Sequence, residues 1–116
     1  MSFAATEPVP GYSWHEQRRP RGTRGGIAIL VKRGVPVVRS VGNEYAQCID
    51  LQAQNGTLHS IVNVYLPPAG NLGRRSLTEE FVRSQCTETL ATVPMDRPLL
   101  VCGDFNARIG RLQQPE

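Results

Sequence analysis

Leu99-Leu100-Val101-Cys102-Gly103-Asp104-Phe105-Asn106-Ala107 is the stretch on which the reading of this chain turns. Four consecutive apolar residues, entered through Pro98, have the length and composition of a strand covered on both faces. The run passes directly through Gly103 into a carboxylate. If the extended conformation holds as far as Asn106, side-chain alternation places Asp104 and Asn106 together at the carboxyl end of the strand. An acid emerging from an apolar strand is costly unless a cation or a donor meets it. An Asp-x-Asn pair standing alone also closes strands as an Asx turn.

Working back from that strand, Pro94 ends a helical pattern. Ser76 followed by Glu79 is a capping box, and Val82, Cys86, Leu90 and Val93 form one apolar stripe on a helix of about sixteen residues. Further back, segments 45–53 and 57–65 flank Asn55-Gly56, a hairpin signal whose type I′ turn requires positive φ at both central residues. In the second of these strands His59, Ile61, Asn63 and Tyr65 share one face, and Leu58, Val62 and Val64 the other. Leu66-Pro67-Pro68-Ala69-Gly70 stops it, so Asn63 and Tyr65 also stand at a strand end. Residues 27–32 read as a short buried strand after Gly25-Gly26. Residues 35–41 read as a second, with Pro36 confining it to an edge or to a start at residue 35. Pro8, Pro10, Pro20 and the Gly-rich approach to Gly26 make residues 1–25 a loop. Strands, a helix and then a covered strand describe an α/β layer structure.

Composition sets the outer limits. With 116 residues, 40% hydrophobic and 20% charged, the chain suits one globular domain. No apolar run is long enough for a membrane span, and no repeat suggests a solenoid. The first residues lack the apolar stretch of a secretory signal, so a nuclear or cytoplasmic location is expected rather than secretion. Cys48, Cys86 and Cys102 lack the spacing of a zinc site or a disulfide framework. They read as buried thiols acting as small hydrophobes.

Net charge is +3, yet between His15 and Arg39 seven basic residues face Glu16 alone. All but one of the basic side chains are arginine, whose fork matches phosphate oxygens in a bidentate way. This favours a phosphate-rich partner, although a basic run is equally common on an ordinary solvated loop. Arg24-Gly25-Gly26 is a single unrepeated step and adds little. If the strands ending at Tyr65 and Asp104 share a rim, an acceptor, an amide and a phenol converge there. That set suits a phosphoryl group: Asp104 takes a proton from water, Asn106 donates to a phosphate oxygen and Tyr65 supplies a hydroxyl.

Gly103-Asp104-Phe105-Asn106-Ala107, Asn63-Val64-Tyr65-x-Pro67 and Gly25-Gly26-Ile27-Ala28-Ile29 together resemble the middle motifs of the endonuclease/exonuclease/phosphatase superfamily. The continuation Arg108-Ile109-Gly110 is most similar to the endonuclease domains of non-LTR retrotransposons. The resemblance implies a four-layer α/β-sandwich of the DNase-like type and Mg²⁺-dependent hydrolysis of phosphodiester bonds. By the motifs, Asp104 would orient or deprotonate the attacking water, Asn106 would bind the scissile phosphate and Tyr65 would stabilise developing charge. Asn63, Arg24 and Arg108 are the expected substrate-binding residues, and no residue here is assigned to the metal.

The family also places an Asn and a metal-binding Glu before the Gly-Gly strand and a Ser-Asp-His signature after the Asp-x-Asn strand. Neither is found, and Glu7, Glu16, His15 and His59 do not take their places. The expectation is therefore one incomplete domain, with its motifs in residues 11–110 and tails at 1–10 and 111–116, inactive or weak alone. Its expected partner is nucleic acid, DNA first, with no membrane and with self-association through an exposed sheet face. The alternatives are a nucleic-acid-binding module without catalysis and an inositol or lipid phosphatase-type hydrolase.

Overall fold

A computed structural model of the chain describes residues 9–18, 26–67 and 79–106. Its elements are β1 (Tyr12–Arg18), β2 (Gly26–Lys32), β3 (Val37–Gly42), β4 (Ala46–Gln52), β5 (Leu58–Tyr65), α1 (Glu79–Leu90) and β6 (Leu99–Asp104). Strands β1 and β2 form an antiparallel ribbon, and β3-β4-β5-β6 form a mixed sheet in which only the β5–β6 pairing is parallel. The parallel step requires a crossover, which α1 provides. Ribbon, sheet and helix make an α/β layered structure, consistent with part of a DNase-like sandwich.

The hairpin between β4 and β5 sets the register of the centre. Its loop is not the two-residue type I′ turn that Asn55-Gly56 suggests. Ala53 N–H donates to Thr57 C=O (2.8 Å) and Gly56 N–H to Ala53 C=O (2.9 Å), closing a three-residue loop. Gly56 alone takes positive φ, +87°, while the Asn55 side chain accepts from Thr57 N–H. A three-residue loop ending in a left-handed glycine matches the strand twist as well as the primed turn does. Of the face predicted as Leu58, Val62 and Val64, the two valines are buried against the helix and Leu58 is half-buried, while Ser60 is buried beside Asp50; His59, Ile61, Asn63 and Tyr65 are half-buried.

The helix packs on β4 and β5 through Val82 and Cys86, against Tyr45, Ala46, Cys48, Val62 and Val64. The stripe drifts from the expected one. Thr89, not Leu90, is the third buried position, because its hydroxyl donates to Ala46 C=O (3.3 Å). Leu90 is left 37% exposed. The capping residue expected at Ser76 lies outside the described residues. On the opposite face the ribbon covers β4 and β5, burying Ile49 and Val31. Two amides stitch these layers: Gln47 Nε2 donates to His15 C=O (2.7 Å) and Asn63 Nδ2 to Ala28 C=O (3.2 Å).

Three expectations are corrected. Part of the expected N-terminal loop is strand β1, whose inward residues Ser13, His15 and Gln17 are polar and so hide the period of a strand. Strand β6, expected to be covered on both faces, is exposed along its whole length, with Leu99, Leu100 and Val101 at 46%, 58% and 41%. It borders β5 on one side only, while helix and ribbon lie over β4 and β5. For the same reason Cys102 is exposed, whereas Cys48 and Cys86 are buried as expected. Strand β3 does occupy an edge and begins just after Pro36.

Candidate functional site

Parallel pairing sets Tyr65 beside Asp104 and Asn63 beside Cys102, so the two strand ends on which the motifs lie meet at one rim. Gly103 makes the meeting close. At φ +137° it sits so near β5 that a Cβ there would come within 1.9 Å of the Val64 carbonyl oxygen. Only glycine allows that approach, and a side chain at this φ would be strained as well.

The chain does not stay extended past Asp104. Asn106 turns into the left-handed region at φ +47°, so the expected alternation of Asp104 and Asn106 gives way to an Asx turn. Asn106 N–H donates to Asp104 Oδ1 (3.1 Å), and its side-chain Nδ2 donates to Leu66 C=O (2.7 Å). The Leu66 N–H in turn donates to Asp104 C=O (2.9 Å). The two motif residues are thus brought together by folding back. Asp104 and Asn106 are exposed and Tyr65 is half-buried. Asn63, expected to touch substrate, uses its amide between the layers instead. Arg24 and Arg108 lie outside the described residues.

Glu16 accepts a hydrogen bond from Trp14 Nε1. On the same strand, Ser13 Oγ and His15 Nε2 are hydrogen-bonded (3.0 Å), and burial pushes the His15 imidazole pKa down. His59 lines a cavity of about 290 Å³ with Leu51, Ile61, Pro98 and Leu100, among others. It flanks the start of β6, away from the Tyr65–Asp104 rim. Among the described residues no three His, Cys, Asp or Glu side chains gather into a set able to hold a metal ion. A complete metal centre therefore does not fit the residues described.

Sequence reasoning missed a buried ionic cluster under the helix side of the sheet. Asp50, 2% exposed, accepts from Arg39 Nε (2.6 Å), Arg97 Nη1 (3.0 Å) and Ser60 Oγ (2.6 Å). Burial by itself pushes this carboxyl up. The hydrogen bonds from Arg39 and Ser60 and the charges of Arg39 and Arg97 outweigh it and hold the carboxyl below its ordinary range. Asp50 shares a face with Cys48 in an apolar strand, which was the available signal. Arg39 and Ser60 come from the two flanking strands, whereas Arg97 lies far away in sequence.

A family model described as "Endonuclease/Exonuclease/phosphatase family" matches residues 2–113. No curated protein and no solved structure matches the chain.

Proposed function

Because the chain belongs to the endonuclease/exonuclease/phosphatase family, we propose that the rim formed by Tyr65, Asp104 and Asn106 is the part of a phosphodiester-cleaving site that it contributes. The family comprises phosphodiesterase-, nuclease- and phosphatase-type hydrolases. One observation carries the reading: Asp104 and Tyr65 sit side by side at adjacent strand ends, with Asn106 folded onto them. Asp104 acts as the base. Its Oδ1 is engaged by Asn106 N–H, which leaves Oδ2 to take the proton of an attacking water. Tyr65 donates its phenolic hydrogen to a phosphoryl oxygen as charge builds there.

Nucleic acid is the proposed substrate, DNA in particular. The support is the arginine-rich stretch from residue 18 to residue 39 and the Arg108-Ile109-Gly110 continuation, which favours the retrotransposon branch. Arg24 and Arg108 are assigned to backbone phosphates. Mg²⁺ dependence is proposed from family membership.

The test is nicking of supercoiled DNA by the purified chain. Weak nicking that requires Mg²⁺, stops with chelator and disappears in Asp104→Ala is the expected result. Salt-sensitive DNA binding without any nicking, unchanged in Asp104→Ala, would instead make the chain a binding module. Turnover of phosphoinositides with DNA left intact would move the substrate class to phosphatase chemistry.

A further inference from the structure

The ends of β5 and β6 are tied by more than the sheet ladder. Leu66 commits both of its backbone groups to the other strand's end: its N–H goes to Asp104 C=O and its C=O receives Asn106 Nδ2. Asn106 commits two donors, one to Leu66 and one, through its backbone, to the Asp104 carboxylate. The result is a closed loop of three hydrogen bonds through Leu66, Asp104 and Asn106.

Asn106 is also the one non-glycine among the described residues with positive φ. Asparagine tolerates that region because its short polar side chain bonds locally, whereas most residues resist it. The turn brings the amide back over Leu66 instead of letting it continue along the strand. Pro67 biases Leu66 toward the extended conformation, and Gly103 removes the side chain that would hold the two backbones apart. Residues on both sides of the rim therefore serve one closure.

We propose that Asn106 is a positioning residue that clamps the end of β6 to the end of β5 through the Leu66 carbonyl. By that clamp, and by its own N–H on Oδ1, it fixes which Asp104 oxygen faces the reaction. The inference deepens the reading of Asp104 as the base and rests on it. Asparagine is needed here for three properties at once: left-handed tolerance, a backbone N–H and a side-chain donor. Glycine supplies the first two and aspartate the first two with an acceptor in place of the donor.

Asn106→Gly and Asn106→Asp separate these properties. Hydrogen exchange at the Leu66 amide, followed by NMR on the full chain, reads the clamp without needing activity. Losing one hydrogen bond of ordinary worth should speed that exchange about fivefold in both variants, with amides in the middle of β4 and β5 unchanged. Unchanged Leu66 exchange in both variants would overturn the clamp. In the Mg²⁺-supported nicking assay, a misplaced base predicts kcat lowered about tenfold or more in Asn106→Gly at unaltered KM. A raised KM at unaltered kcat would overturn the positioning role and make Asn106 a phosphate-binding group. Wild-type chain that never nicks would sink the reading of the rim as a hydrolytic centre, and the exchange result would then decide the clamp by itself.

Discussion

Asp50 shows how one buried acid couples this fold to pH. Its carboxyl is held below the ordinary range in the folded chain, so its pairing stabilises the fold above the unfolded-state value of about 4. That contribution is lost as pH falls through the lower folded-state value. Urea midpoints measured from pH 7 to pH 2 should therefore drop below about pH 4. Asp50→Asn should flatten much of this fall and, at pH 7, cost about 2 kcal/mol by leaving two guanidiniums without their carboxylate. The cost sits low for a buried pair because Arg39 remains 27% exposed. Identical acid profiles for the two proteins would show that the cluster has no part in the acid response.

Asn43 joins two elements in the way Asp50 joins side chains. Its Oδ1 accepts from the N–H groups of Tyr45 and Ala46 (2.9 and 3.0 Å), which turns the chain into β4. Its Nδ2 donates to Gln85 C=O (2.8 Å) and so pins α1 onto that turn. Replacing Asn43 by Ala should cost about 2 kcal/mol, the worth of two or three hydrogen bonds, and thermal melts followed at 222 nm should shift accordingly. An unaltered melting temperature would show that helix docking relies on Val82, Cys86 and Thr89 without Asn43. The sequence made this helix legible through the Val82–Cys86 spacing, and the hairpin through Asn55-Gly56. It did not disclose Thr89 as a core position, since a threonine there is explained only by the Ala46 carbonyl opposite. Strand β1 was illegible because its alternate residues Ser13, His15 and Gln17 are polar, and the bond that ties it to the sheet, Gln47 to the His15 carbonyl, uses its backbone and leaves no mark on its side-chain pattern. The motif residues were legible as a group. Their arrangement was not, because a left-handed Asn106 cannot be told from an extended one by spacing.

Seen as a whole, the described chain is a layered body with one unguarded flank. Helix and ribbon both lie over the centre of the sheet, and β6 offers apolar side chains beside an edge with no neighbouring strand among the described residues. Natural edges are usually blunted by lysine, proline or a bulge, and here Leu99–Cys102 has none of these. Concentration-dependent self-association in sedimentation is the expected behaviour, and Val101→Lys should return the chain to monomer with its far-UV spectrum unchanged. Equal association of the two proteins would move the contact elsewhere. The same flank carries its own chemical reporter. Of the three thiols, Cys102 alone is open to solvent, so a maleimide should modify the native chain once and the unfolded chain three times. The rate of that single modification then works as a clock for coverage of β6, slowing when another strand settles against it and requiring no engineered label.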